Sequence, residues 1–461
     1  MSTPEVRLRW WVPDLAMVAA CVTLFYCVFL FQGYQKLFRD SDAGWHIRNG
    51  EAILATGTLP STDPYSFTRS GRPWFAWEWL SDVAVGALHR AGGLNAVALF
   101  YSAAIAFSVW LWFRLHWALG GNFLIACAMA PLLLSTCNIH WLARPHILGW
   151  LFLLWAMFPA GLASTAAVTV LWANVHPSFY LGILGRLGLR PALLTRHAAV
   201  ILALGVLNPN GPALYTHLYR YLTDSALLAR IGEFQSFDFH AEGAGQIIAT
   251  VILGMIGGAL AFTRKRYHHF VIAIVITALA LRSARALPLC ALVLLPIANA
   301  AIAPYCGKSF NRYAANLRAL DDRCRGLWLA PVALAAVWFL MPKAGFPPDQ
   351  FPVAAYEHIP AGARLFAPDK YGGYLIYRSN GTMKVFFDGR SDLYGAAFLE
   401  QYARLTQVRP GWQEIWNSYH FTHALLPNDY SLVPALEQLG WHVIYLDRTA
   451  TLLEKPMSAA D

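Results

Sequence analysis

Charge is scarce in this chain. Of 461 residues only 13% are Asp, Glu, Lys or Arg, while 57% are hydrophobic and the mean hydropathy is +0.42. Soluble domains carry roughly a quarter charged residues, so a soluble protein built around one large core is excluded. Chemical signatures are absent as well: there is no GxGxxG, Walker A, GxSxG, HExxH or kinase set. Zinc therefore has no motif to rest on, although His140, His146, His176 and His240 are all present. No internal repeat is visible, which speaks against a transporter built from inverted halves. The seven cysteines (21, 27, 127, 137, 290, 306 and 324) avoid both residues 32–82 and everything after 341. Those stretches are not disulfide-stapled, and the thiols read as buried or cytoplasmic.

What is present is a series of apolar runs, at 12–31, 94–113, 123–137, 147–163, 166–175, 178–189, 197–207, 246–262, 268–281, 286–303 and 327–341. These are the marks of a polytopic helical membrane protein of about eleven spans. The first run is too long for the h-region of a signal peptide and lacks a small-residue cleavage site, so it reads as a retained span. The net charge of +9 lies largely in short loops and does not imply nucleic acid. "TRKRYHH" (263–269), the basic stretch 307–326, and Arg7 with Arg9 put those loops and the N-terminus in the cytoplasm. That parity needs a break at His176-Pro177 in "WANVHPSFYLG", giving two short spans or a re-entrant pair. The loop 32–82, residues 138–146, the His176-Pro177 tip, 208–245, "RSAR" (282–285) and all residues after 342 then share the extracytoplasmic side. The expected division is a membrane domain over 1–341 and a small extracytoplasmic α/β domain over 342–461. The latter is marked by strand-like "ARLFAP", "YLIYR", "KVFFDGR", "HALLPN" and "HVIYLDR" alternating with helical 395–406 and 431–439.

The polar residues with chemical potential gather on that one side. In "FRDSDAGWHIRNGEAIL" (38–54), Ser41 or Asp42 is expected to cap a helix running to Thr56 and stopped by Gly57. Asp42, His46 and Asn49 share a face of it, with Asp40 just outside. The plain reading is a cap on an interfacial helix. Yet one cap needs one oxygen, and Asp40, Asp42, His46 and Glu51 offer more. A carboxylate there can act as a general base or hold a divalent cation such as Mg2+ or Mn2+. Glu78, among Trp74, Trp77 and Trp79, is a further acid or base candidate in what otherwise reads as an interfacial aromatic belt. Arg144 and His146, with Arg282 and Arg285, either snorkel to lipid or bind a phosphate. Asn174 and His176 sit where polar groups are expensive, and Glu233, Asp238 and His240 are secondary candidates. "NPNG" (208–211) reads as a turn, and Asp388, Arg390 and Asp392 of "VFFDGRSDLYG" as a salt-bridged corner.

"DSDAGWHIR", after a first span and opening a long extracytoplasmic loop, resembles the acid-aromatic-His-x-Arg segment of the GT-C superfamily of glycosyltransferases. That superfamily includes oligosaccharyltransferase catalytic subunits, protein O-mannosyltransferases and aminoarabinose transferases. The wider pattern, "WHIRNGEAIL…GTLPSTDPYSF…GRPW…EWL", "WANVHPSFYLG", "NPNG" and "VFFDGRSDLYG", is similar over nearly the whole chain to bacterial membrane proteins of glycosyltransferase-like type. The resemblance implies a polyprenyl-phosphate-linked sugar donor and a lipid, glycan or protein acceptor, with transfer by direct displacement at the outer face of the bacterial inner membrane. It implies Asp40 or Asp42 as base or metal ligand, and the arginines, with His146 and His176, on the leaving phosphate. The WWDYG motif of oligosaccharyltransferases is absent, which argues against a peptide Asn acceptor. The competing readings are a non-enzymatic transport or envelope-assembly protein, and a ligase or hydrolase of lipid-linked polymers.

Overall fold

The structure, a computed structural model, describes residues 11–189 and 191–456; Arg7 and Arg9 fall outside them. It is mostly helical with one small sheet near the C-terminus. The contacts divide the chain into two compact units. One holds Met1–Tyr34, Ala98–Tyr215 and Gly232–Pro342; the other holds Gln35–Val97, Thr216–Ile231 and Lys343–Asp461. The C-terminal segment is therefore grouped with most of the first loop and with a second stretch near 220, and is not set off at a single boundary near 341.

In the first unit every apolar run coincides with helix. Three helices among the described residues are long and apolar enough to cross a bilayer: Trp79–Ala118, Ala244–Thr263 and Ala284–Tyr305. The other apolar helices are shorter, Leu15–Phe29 and His146–Ala156 for example. At 1.5 Å per residue the latter rises only about 16 Å, against about 30 Å of hydrocarbon. Eleven apolar runs thus give three full-length helices, because turns, glycines and prolines break the rest. The run Trp79–Ala118 is itself interrupted at Gly92 and Gly93, where Gly93 takes φ 63°. The expected break at His176-Pro177 is present: helix Leu162–Val175 ends, His176 is extended, and Pro177 starts a 3-10 turn leading into helix Gly182–Leu189.

Small residues let the helices of this unit meet backbone to backbone, the usual device where lipid removes the hydrophobic drive between helices. A Cβ at Gly257 would lie 2.4 Å from Ala298 Cα, and one at Gly258 2.5 Å from Ala273 Cβ. Asn299, wholly buried, donates to Asn122 O and accepts from Asn122 N–H, both at 2.9 Å, tying one helix to the start of another. Leu15 N–H donates to Asp321 Oδ1 at 2.7 Å, so the start of the first helix and the basic stretch 307–326 lie at the same end of the unit. All seven cysteines are free thiols.

The second unit contains a four-stranded sheet of order β1-β2-β4-β3: Leu365–Phe366, His423–Pro427, Ala450–Glu454 and His442–Leu446. β1 pairs parallel to β2, and β4 runs antiparallel to both β2 and β3. Phe366, Phe386, Phe398, Trp416 and Phe421 form its core, and Phe67 and Leu227 from the two other segments join it. Three strand expectations hold and two do not. "YLIYR" lies in helix Asp369–Arg378, because Tyr371, Tyr374 and Leu375 recur at helical spacing and are all buried. "KVFFDGR" forms no strand; it makes one isolated bridge, Ser66 to Val385.

Helix Asp42–Thr56 is gripped in this unit by glycine contacts on two sides. A Cβ at Gly44 would sit 2.2 Å from Gly373 O, and one at Gly50 1.7 Å from Asp82 O. Neither obstacle is a movable side chain. Gly50→Ala is expected to cost about 1–3 kcal/mol of stability, read as a lowered Tm of the purified protein; an unchanged Tm would refute this packing.

Candidate functional site

The acid-rich helix meets one partner that was not anticipated. Asp82, only 1% exposed, lies at the start of helix Trp79–Ala118. Its Oδ1 is 2.6 Å from His46 Nδ1, and its Oδ2 accepts from Asn49 Nδ2 at 2.6 Å. His46 and Asn49 thus do share a face, and what that face meets is a buried carboxylate. His46 stacks on Trp45 at 3.6 Å and turns Nε2 toward Glu78 Oε2, 3.8 Å away. Glu78 is the accessible end of this row, with its side chain 13% exposed. Burial works against charge on His46, but the Asp82 carboxylate, aided by Glu78 and Asp42, outweighs it and raises the imidazole pKa above its ordinary 6.5.

The capping expectation is corrected. Ser41 takes helical dihedrals and makes no side-chain cap; its hydroxyl donates to Asp369 O at 3.3 Å. Asp42 is the first helical residue, and Asp40 Oδ1 accepts its N–H at 2.9 Å. Asp40 therefore supplies the capping oxygen and Asp42 does not. Asp42 is buried, and a Cβ at Gly389 would fall 2.0 Å from its Oδ1. Gly57 stops the helix as expected, at φ 67°.

Gly389 belongs to the Asp-Gly-Arg corner. Arg390 binds Asp388 with Nε (2.8 Å) and Nη2 (2.7 Å), and Nη2 also pairs with Asp63 at 2.8 Å. Trp74 and Tyr65 lie against the guanidinium. This is a buried structural clamp that fixes Gly389 over Asp42. Asp392 instead meets His217 at 3.1 Å.

In the other unit two of the three arginines converge. Arg144 Nη1 and Arg285 Nη1 lie 2.8 and 3.2 Å from the two oxygens of Glu233, whose backbone carbonyl accepts from Ser283 Oγ. Glu233 is half-buried, and its desolvation alone would raise its pKa, yet the two guanidinium groups hold it well below the usual carboxylate range. His140, buried beside them, is pushed down to about 4. His146 Nε2 lies 2.8 Å from His140 O, where it braces that loop. Arg282 ends its helix exposed and takes no part in the Glu233 pairs. His176 Nδ1 holds Ser178 Oγ at 2.7 Å, and Asn174 donates to Val170 O and Leu207 O, so both stabilise chain breaks. Asp238 and His240 are exposed, and Asp238 only turns the backbone at His240. Asn208 does the same in "NPNG".

Among the described residues no group of three or more His, Cys, Asp or Glu stands ready to hold a metal. Asp40 and Asp42, the carboxylates expected to hold a cation, belong to no such group. Asp82 and Asp63 were missed by the sequence reading. For Asp82 the available signal was a second carboxylate four residues after Glu78 in a first helical turn.

No protein-family profile matches the chain, and no curated protein matches it. Among solved structures it is similar to the apo oligosaccharyltransferase of Archaeoglobus fulgidus, at 10% identity and a TM-score of 0.55. The match covers 89% of this chain and 69% of that one. At that identity the likeness is one of fold.

The His46–Asp82 pair gives a pH dependence of defined sign. Because the folded pKa is raised, its stabilisation is complete below about pH 6.5 and is lost as pH rises through the folded value. Asp82→Asn should cost about 3 kcal/mol and remove that slope from a Tm-versus-pH series; a slope unchanged in the variant would refute the pairing.

Proposed function

We propose that this protein is a membrane glycosyltransferase of the GT-C kind, moving a sugar from a polyprenyl-phosphate-linked donor to an extracytoplasmic lipid, glycan or protein acceptor. The observation that carries the reading is a conjunction. A fold shared with an oligosaccharyltransferase over 89% of the chain buries the titratable side chains Asp42 and His46 on the first helix of its opening loop. Buried charges of this kind are costly and are concentrated at sites of chemistry.

In this reading Asp42 or Asp40 takes the proton from the acceptor hydroxyl. The freed oxygen attacks the anomeric carbon from the side opposite the phosphate. The carbon–oxygen bond to phosphate breaks with its electron pair staying on phosphate, so configuration inverts. The resemblance assigns the leaving phosphate to Arg144 and Arg285; preorganised cations act most strongly where water is excluded. His146 and His176 support the backbone around them. A Mg2+ or Mn2+ ion bound by Asp40 and Asp42 would add charge stabilisation for the leaving phosphate. The protein sits in the bacterial inner membrane with about eleven crossings, its N-terminus cytoplasmic and residues 342–461 outside. The missing WWDYG motif favours an acceptor other than a peptide Asn.

Asp40→Asn and Asp42→Asn are expected to lower transfer by about 100-fold or more without loss of protein. The measurement is glycan and lipid-carrier profiling of cells carrying each variant. Loss of one glycoconjugate, with its polyprenyl-linked donor accumulating, is the expected result. Unchanged glycans and carriers in folded variants and in a deletion strain would sink the enzyme reading in favour of transport or assembly.

A further inference from the structure

The basic stretch 307–326 contains a helix, Lys308–Asp321, whose surface has no role in the proposed transfer. The long apolar helix Ala284–Tyr305 runs 22 residues, about 33 Å at 1.5 Å per residue, against about 30 Å of hydrocarbon. Only Cys306 and Gly307 separate its end from Lys308. Asn311 then folds the new helix back on that end, donating from Nδ2 to Ala303 O at 2.9 Å and Cys306 O at 3.1 Å. Apolar helix Leu329–Leu340 follows. Helix Lys308–Asp321 thus lies where hydrocarbon gives way to headgroups.

At about 100° per residue this helix presents three faces. One docks on the unit: Ala314 is buried, Asn311 Oδ1 accepts from Asn122 Nδ2 at 2.8 Å, and the Arg318 guanidinium lies 4.7 Å from the Trp117 ring. A second is an apolar stripe of Phe310, Tyr313, Leu317 and Leu320, in which Phe310 is 40%, Tyr313 58% and Leu320 50% exposed. The third, about 120° from the stripe, carries Lys308, Arg312 and Asn316, all exposed. An outward apolar stripe beside a basic one is the pattern of a helix lying in a bilayer interface.

A second basic segment arrives at the same place. Thr263 Oγ1 and Tyr305 Oη are 3.5 Å apart, which sets "TRKR" (263–266) beside the start of the helix. Arg264 and Lys265 are exposed there. Segments 263–266 and 307–326 together hold eight Lys or Arg against two acids. Both acids, Asp321 and Asp322, pair with Arg318, so the outward charge is positive and complements an anionic surface.

We propose that helix Lys308–Asp321 binds anionic phospholipid at this end of the unit. Phe310, Tyr313, Leu317 and Leu320 enter the acyl boundary, and Lys308, Arg312, Arg264 and Lys265 meet the headgroup phosphates. The occupant is lipid because the stripe starts where a bilayer-length helix ends. The assignment rests on charge and position and does not depend on the proposed glycosyl transfer.

The test uses the full chain, purified in detergent. Native mass spectrometry counts phosphatidylglycerol and phosphatidylcholine retained from an equal mixture, and Tm without added lipid checks folding. The wild type should prefer phosphatidylglycerol, less so as salt is raised. Joint Lys308→Gln and Arg312→Gln substitution is expected to cut that preference about fivefold for each cation lost, with Tm unchanged. Arg409→Gln, an exposed site in the other unit, should leave it intact. Joint Tyr313→Ser and Leu320→Ser substitution should lower retention of both lipids. Equal retention of the two lipids by the wild type, or a preference that survives loss of both cations, would overturn the proposal. So would a dimer that the two serines dissolve, since the stripe would then cover a second copy of the chain.

Discussion

Helix Asp42–Thr56 is pressed between two backbones, and the chemistry of its unit depends on how close that approach is. Gly44 meets Gly373 on one side, and Gly50 meets Asp82 and Gly86 on the other. Only hydrogen atoms fit in those gaps. With the backbones so close, Asp82 comes within 2.6 Å of both His46 and Asn49. A methyl group at either glycine would lengthen these bonds together, since both partners sit on the same face of one helix. Steric exclusion and electrostatics here are a single arrangement.

The two units carry opposite imbalances of charge. Around His46 the acids predominate: Asp42, Glu78 and Asp82 act on one imidazole. Around Glu233 the bases predominate, with two guanidinium groups on one carboxylate. Arg390 shows the contrast, because its two acids, its aromatic neighbours and Tyr394, whose hydroxyl donates to Asp388 at 3.0 Å, form a structural set in which only Nη1 lacks a hydrogen-bond partner among the described residues.

Much of this was visible in the primary structure, and the failures have physical causes. The apolar runs all fell on helix, since burial in lipid or in protein selects the same residues, while helix Lys308–Asp321 lay in the basic stretch 307–326 between two of them. They overstated helix length, because composition does not register where a turn falls within an apolar stretch. "YLIYR" satisfied a strand pattern over five residues but a helical one over ten, and the longer pattern prevailed. β4, "ATLLE", escaped notice as a short run after the last obvious turn. At the site, Asp40, Asp42 and His46 stood out because they are close in sequence, and Glu78 because it lies among Trp74, Trp77 and Trp79. Asp82 did not, because its one local mark, a carboxylate four residues after Glu78, does not point to partners 33 and 36 residues away.

The clamp on Arg390 bears on the order in which the molecule can be made. Asp63 is synthesised 327 positions before the guanidinium that neutralises it. At ribosomal speeds of about 5–20 residues per second, the interval is on the order of tens of seconds. Through that interval the opening loop has neither Gly373 to pack against nor Arg390 to pair with, and its acids remain hydrated. The opening loop, made long before Gly373 and Arg390, is therefore among the last segments to acquire its final form.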